Sequence, residues 1–297
     1  MSIGHRFRDF FIGEILYYLR KLSERQAEKS DALSQISLMM QYKTHFALQP
    51  ENPILLNQVG FRAYSQHEED GILLFLFALL GTKNKICVEI CAGDGRECNT
   101  ANLFLNHRWT GLLFDGDERN VAKANAFYQG HLDARFWPPK VVRAWITRDN
   151  INNLILQNGF QGEVDLLSLD VDGNDYWIME ALNAVQPRVI VLEINHLWGV
   201  RAAVTVPYAD DFVAEFTEWG SDYAGASLPA FVKLCGEKGY RLVGTNAFAT
   251  NAFFVRNDLP HPWLPEVRAE DCFLHPRAKF GMEKRYPAIE NKPWQEV

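Results

Sequence analysis

From Ile86 onward, short apolar runs alternate with segments whose apolar residues recur every three or four positions. Apolar runs of four to eight residues bounded by turn formers read as buried strands, and the longer recurrence reads as amphipathic helix. The pattern predicts strands over Ile86–Cys91, Gly111–Asp115, Val141–Ile146, Asp165–Leu169 and Val189–Ile194. Between them it predicts helices near Glu97–Asn106, Glu118–Tyr128, Asn150–Gln157 and Asp175–Ala184. That rhythm specifies a mostly parallel sheet covered by helices on both faces. A further helix near Leu228–Gly236 precedes "GYRLVGTN" and "TNAFFVRND", two β-rich runs separated by a few residues around Ala247 to Ala249. So short a link permits only an antiparallel pair.

The segment before this alternation has a different period. Ile15, Leu19, Leu22, Leu33, Ile36 and Met40 fit a 4-3 spacing, with polar Gln26 and Lys29 in register between them. Three readings stay open for this helical arm: a short coiled coil joining subunits into a homo-oligomer, an arm packed on its own domain, or an aromatic-rich interfacial helix on a membrane surface. "FRDFFIGEILYYLRKL" cannot span a bilayer, because Arg8, Asp9, Glu14, Arg20 and Lys21 interrupt it. "ALQPENPILLNQVGF" carries two prolines and marks a boundary. The expected organisation is an arm and linker over 1–58, a main domain over 59–258 and a Pro- and aromatic-rich tail over 259–297.

Composition narrows the partners. A net charge of −7 with no Lys/Arg cluster argues against nucleic acid as a partner. The five cysteines form no C-x-x-C pair, and Cys87, Cys91 and Cys98 lack the spacing of common zinc sites. A reduced, cytoplasmic chain is expected, with Cys87 and Cys91 as small buried residues.

The candidate chemistry sits at the ends of the strands, where ligands bind in open α/β sheets. "VEICAGDG" places Glu89 and Cys91 before a turn of Gly93, Asp94 and Gly95. A dinucleotide site needs the following helix N-terminus bare for a pyrophosphate. Carboxylates there repel a diphosphate and suit a ligand with an ammonium and a sulfonium, such as S-adenosylmethionine. "GLLFDGD" ends in Asp115, suited to taking both hydroxyls of a ribose, with Asp117 as the alternate or as a helix cap. "LLSLDVDGND" brings Asp170, Asp172 and Asp175 to the end of the fourth strand, and "VLEINHLWG" brings Glu193, Asn195 and His196 to the end of the fifth. Asp170 and Glu193, with Asp172 and Asn195 as alternates, form an oxygen-rich set fit for Mg²⁺. Without a metal, Glu193 or His196 serves as general base.

Taken in order, "YSQHEEDGIL", "VEICAGDG", "LLFDGD", "LLSLDVDGNDYWI", "VIVLEIN", "VTVPYADDF", "YAGASLPAF", "KGYRLVGTN" and "NAFFVRNDL" resemble FkbM-type methyltransferases over about Tyr64 to Leu259. The resemblance implies a Rossmann-like class I methyltransferase fold. That fold has a mostly parallel seven-stranded sheet ending in an antiparallel hairpin, here with an added N-terminal helical arm. It also implies S-adenosylmethionine as cofactor and O-methyl transfer, often onto sugars or secondary metabolites. Glu89, Gly93, Asp94 and Gly95 match the family's methionine-binding turn, and Asp115 matches its ribose acid. Gln66 and Asp70 match positions that reach the amino-acid end of the cofactor, and Cys91 stands where glycine is commonest. Related macrolide-sugar enzymes hold Mg²⁺ at the fourth and fifth strand ends, which implies Asp170 and Glu193 as ligands and Asp170 beside the cofactor. The histidine often found after the fourth-strand acids is absent, so His196 is its substitute as catalytic base, with Glu193 and Asp170. Two other readings remain: a metal-dependent nucleotide-sugar glycosyltransferase, since "DVD" and "DGD" resemble its Asp-x-Asp pairs, and a non-catalytic assembly protein.

Overall fold

The computed structural model describes residues 32–218 and 220–297. Ile15, Leu19 and Leu22 of the 4-3 pattern lie outside the described residues. Helix α1 (32–48) leads to α2 (Glu69–Leu80), after which strands and helices alternate: β1 (Ile86–Ile90), α3 (Ala101–His107), β2 (Thr110–Asp115), α4 (Glu118–Gly130), β3 (Lys140–Arg143), α5 (Ile151–Gln157), β4 (Gly162–Leu169), α6 (Asp175–Ala181) and β5 (Val185–Glu193). Short strands β6 (Val204–Thr205), β7 (Glu215–Thr217) and β8 (Gly220–Tyr223) precede α7 (Leu228–Glu237), β9 (Tyr240–Thr245) and β10 (Asn251–Arg256). The chain closes with α8 (Pro276–Phe280) and β11 (Gln295–Glu296).

The main sheet has seven strands in the order β3-β2-β1-β4-β5-β10-β9. The first five run parallel, and β10 inserts antiparallel between β5 and β9. This is the Rossmann-like fold of class I methyltransferases, and the short link before β10 produces its reversed last strand. Side chains alternate across the pleat. Val88, Phe114, Leu167 and Ile190 face one apolar cluster with Ile151, Ile178 and Phe231. Cys87, Leu113, Leu166 and Val191 face a second with Phe75, Phe104 and Tyr128.

Two boundaries move for local reasons. Helix α3 starts at Ala101 and not near Glu97, because Glu89 accepts the amide protons of Asn99 (2.9 Å) and Thr100 (3.0 Å). Strand β5 runs back through Pro187, which pairs with Val164 on β4. Its missing N–H costs no ladder bond on the other side, because β10 pairs with β5 only from Val189 onward.

Helix α1 is tied to the domain by Tyr42, whose ring meets Phe75 edge-on at 5.0 Å, and by buried Gln35, which donates to Asn102 at 3.1 Å. Its apolar stripe is nevertheless open: Leu33 is 70% exposed, Ile36 46% and Met40 65%. The tail wraps the domain. Buried Trp263 donates to the carbonyl of Pro50 (2.7 Å), and β11 pairs with β6. Among the described residues no helix is long and apolar enough to cross a membrane. All five cysteines are free thiols, and Cys91 is exposed, contrary to the buried position expected for it.

Candidate functional site

The turn after β1 is held by backbone geometry. Cys91 has φ +68°, a left-handed conformation that glycine adopts without strain and a side chain does not. At Gly95 (φ +73°) an added Cβ would lie 2.8 Å from Ala124, and the Tyr128 hydroxyl donates to the Gly95 carbonyl at 2.6 Å.

The acids expected to line this turn have other work. Glu89 shares a sheet face with Cys87, so its buried carboxylate points beneath the segment entering α3. There it takes the two amide protons named above and the Thr100 hydroxyl. Asp94 is half-buried, accepts from the Arg96 amide (3.1 Å), and lines neither of the two cavities described below. Asp70 is buried, its Oδ2 accepting from the amides of Ala63, Tyr64 and Ser65 and from the Ser65 hydroxyl. It shapes the loop and lines neither of the two cavities described below.

Asp115 ends β2 and reaches back across the turn. Its Oδ2 accepts from the Gly93 amide (2.9 Å), and its Oδ1 from the Asp117 amide (2.9 Å) and Asn120 Nδ2 (3.2 Å). A carboxylate offers about four acceptor positions, so one remains for a hydroxyl, not the two a bidentate ribose contact needs. Asp117 caps α4 through the Arg119 amide (2.7 Å).

Beside Asp115 lies a slot of about 70 Å³, lined by Ile90, Cys91, Asp115, Gly116, Trp145, Ile146, Val171, Asn174 and Phe212. Its outer wall is a strap over 206–212. Trp145 Nε1 donates to the Asp210 carbonyl (2.7 Å), Asn174 Nδ2 to the Ala209 carbonyl (2.7 Å) and Trp177 Nε1 to the Val206 carbonyl (2.8 Å). The sequence reading gave no site role to Trp145, nor to Asn174 and Phe212, although these two lie in the motifs "LLSLDVDGND" and "VTVPYADDF".

A second cleft of about 290 Å³ is lined in part by Asp170 and Asp172 of the loop 170–175. Gln66, His67, Asp170, Asp172, Glu193, His196, Asp222, Arg277 and Arg285 line it. Gln66 thus stands in the acid-lined cleft and not at the glycine turn. Buried Asp175 shapes the loop by accepting from the amides of Val171 (2.8 Å) and Gly173 (2.9 Å), and Asp172 takes φ +50°. The outcome is one carboxylate oxygen each from Asp170, Asp172 and Glu193, all within 4.8 Å of one another. Burial, then the charges of Asp175 and Asp172, push the Asp170 carboxyl up to about 8. Burial, then Asp170 and Asp172, hold Glu193 well above the carboxylate range. Three converging carboxylates, two of which (Asp170 and Glu193) resist ionisation, fit a hard divalent cation, which replaces the missing positive charge.

Asn195 lines the same cleft, its Nδ2 donating to the carbonyls of Asp222 (2.8 Å) and Ala224 (2.9 Å) and its Oδ1 accepting from the Leu197 amide (3.2 Å), which leaves one of the two acceptor positions on that oxygen. His196 reaches the cleft wall, but its Nε2 is buried without a partner where a Cβ on Gly281 would lie 2.7 Å away. Burial, then Arg285 and Arg277, push its pKa down to about 4, so the ring is neutral near pH 7 and a weak base.

The raised carboxyls set a pH dependence. A carboxyl with a higher pKa folded than unfolded binds its proton more tightly in the native state, so its contribution falls as pH rises from about 4 to about 8. Metal-free protein is expected to lose melting temperature across that window. Millimolar Mg²⁺ is expected to restore it at pH 8.5 and not at pH 5.5, because the ligands must be deprotonated. Thermal melts in chelator and in Mg²⁺ across this range test it, and a cation effect independent of pH would contradict it.

No protein-family model matches the chain, and no curated protein does. Among solved structures it is similar to the CcbJ methyltransferase of Streptomyces caelestis, with 13% identity over 62% of this chain and 92% of that one, at a TM-score of 0.38. It is similar to magnesium protoporphyrin IX methyltransferase of Synechocystis PCC 6803, solved with bound SAM, with 14% identity over 58% and 69%, at 0.35. It is also similar to the mitomycin 7-O-methyltransferase MmcR, with 11% identity over 60% of this chain and only 51% of that one, at 0.36. At these identities and scores the likenesses carry no weight on activity or on the role of any residue.

Proposed function

We propose that the chain is an S-adenosylmethionine-dependent O-methyltransferase whose acceptor is a sugar-like hydroxyl over Asp170 and Glu193. The supporting observation is at the start of α3. The amides of Asn99 and Thr100, which a pyrophosphate would need, are already bonded to the Glu89 carboxylate. A diphosphate meets a buried acid beneath the residues that enter α3. What remains is a slot for a nucleoside beside a polar cleft for an acceptor. The electrostatic preference thus rests on Glu89 acting through the backbone, not on Asp94 facing the ligand.

In this reading Asp115 holds one ribose hydroxyl, and Trp145 and Phe212 wall the base. S-adenosylmethionine supplies an electrophilic methyl on sulfur. The loop 170–175 contributes to both cavities, Val171 and Asn174 to the slot and Asp170 and Asp172 to the cleft, so in this reading donor and acceptor meet at that loop, and the chain gains rate chiefly by positioning. Asp170, Asp172 and Glu193 are the residues that would hold Mg²⁺, which as a Lewis acid would lower the pKa of the acceptor hydroxyl. Glu193, paired with Asp170, takes the proton otherwise, and the neutral, inward-facing His196 shapes the wall.

Two measurements test this. Labelled methyl from S-adenosylmethionine should enter hydroxyls of a polysaccharide or glycolipid pool, faster with Mg²⁺ than with chelator. Incorporation confined to nitrogen or carbon would defeat the O-transfer reading. Asp115→Ala is expected to weaken S-adenosylhomocysteine binding about 10–100-fold, since it removes a hydroxyl contact and frees the Gly93 amide. Asp94→Ala, in a residue that lines neither cavity, should change affinity by less than about threefold. The reverse ranking by calorimetry would overturn the placement.

A further inference from the structure

We infer that the acceptor carries an anionic group, a carboxylate or a phosphate, which Arg277 receives while the reacting hydroxyl faces Asp170 and Glu193. This rests on the methyl-transfer reading above and narrows its substrate class. Two arginines and no lysine line the cleft. Arg285 is already committed, its Nε and Nη2 donating to the buried carboxylate of Asp222. His196 is neutral near pH 7, and burial lowers the pKa of His67 as well. Arg277 differs from all three. Among the described residues its guanidinium makes no ion pair and no hydrogen bond.

The guanidinium is nevertheless held in place. It lies over the Phe248 ring, 4.5 Å from the centroid, and His67 and His275 meet the same ring edge-on at 5.0 and 4.9 Å. His275 also accepts the Arg277 amide proton (3.1 Å), which fixes the backbone that carries the side chain. Stacking uses the face of a guanidinium and leaves open its edge of N–H donors, which matches a carboxylate or a phosphate. A side chain already ordered loses little freedom on binding, so such a contact keeps most of its strength. Charge is also divided within the cleft. Burial and neighbouring acids act on Asp170 and Glu193, whereas the charge of Arg277 adds to burial in lowering His67 and His196. An anion among the acids is repelled, and one beside Arg277 is attracted. An acidic acceptor therefore has one favourable orientation, its anion on Arg277 and a hydroxyl on the carboxylates.

The test supplies labelled methyl on S-adenosylmethionine to the full chain with a polysaccharide and glycolipid pool split by anion exchange. Label is expected in the acidic fraction at about 10-fold or more over the neutral one. Reducing carboxyls to alcohols and cleaving phosphate esters with hydrofluoric acid, on separate samples, distinguish the two sources. Whichever treatment removes the label names the anion, and label that survives both overturns the inference. Arg277→Gln is expected to slow transfer to the acidic fraction about 10–100-fold at limiting acceptor. Arg277→Lys, which keeps the charge without the planar fork, should recover part of that loss. S-adenosylhomocysteine affinity should stay within about threefold in both variants, because Arg277 does not line the slot, and this shows that they are folded. Equal labelling of the two fractions, or undiminished transfer by Arg277→Gln, would overturn the inference while leaving the methyl-transfer reading intact. Absence of label from both fractions would overturn both.

Discussion

Glu193→Gln is expected to lower the methyl-transfer rate by about 10²–10⁴-fold, the usual loss when a positioned acid–base group is removed. S-adenosylhomocysteine affinity should stay within about threefold, because Glu193 lines the cleft and not the nucleoside slot. Stability gives a second readout. The carboxylates of Asp170, Asp172 and Glu193 crowd within 4.8 Å, so removing one charge relieves repulsion in metal-free protein. The variant should therefore melt higher than wild type in chelator at pH 8.5, and Mg²⁺ should stabilise it less. A variant that is inactive and also less stable would assign Glu193 a structural role. One that is inactive yet more stable shows a residue kept for function at a cost to the fold. Full activity in Glu193→Gln would remove the cleft from the chemistry.

Arg188→Ala is expected to destabilise the protein by about 3–5 kcal/mol, the range for breaking a buried ion pair from one side. Arg188 Nη1 donates to Asp165 at 2.7 Å and to the Gly81 carbonyl at 2.8 Å, and Nη2 to the Leu80 carbonyl at 3.0 Å. Asp165 is fully buried and gathers the amides of Lys83, Asn84 and Lys85. One guanidinium thus joins the end of α2, the turn into β1 and strands β4 and β5, far along the sheet from the cleft. Such a loss is a large share of the roughly 5–15 kcal/mol by which domains are stable. Equilibrium urea unfolding measures it, and a loss under about 1 kcal/mol would mean that the backbone donors alone satisfy Asp165.

These two residues mark how far the sequence can be read. Asp170 and Glu193 are legible because apolar runs end in them, and strand ends are where open α/β sheets bind ligands. The five parallel strands and the closing hairpin are legible for the same reason: their period and link lengths are local properties. Asp165 gives no such sign, since "VDLLSLD" reads alike whether its first acid is solvated or buried against an arginine 23 residues away. Glu89 misleads in a related way. The pattern places an acid at the first strand, but only the pleat decides that it faces Asn99 and Thr100 and not a ligand. Pro187 would end a strand on propensity alone, yet it sits where no neighbour asks for its N–H. The slot is the least legible part. Trp145, Asn174 and Phe212 meet only because a strap over 206–212 crosses the strand ends, and that crossing has no signature in any one segment.

The most direct measurement is a calorimetric titration of the full chain with S-adenosylmethionine and with NAD under the same conditions. With the amides of Asn99 and Thr100 ahead of α3 taken by Glu89, S-adenosylmethionine should bind with a micromolar constant and NAD should give no heat. NAD binding tighter than S-adenosylmethionine would contradict the account at its root, because it would require a diphosphate to sit where a buried carboxylate already holds the backbone.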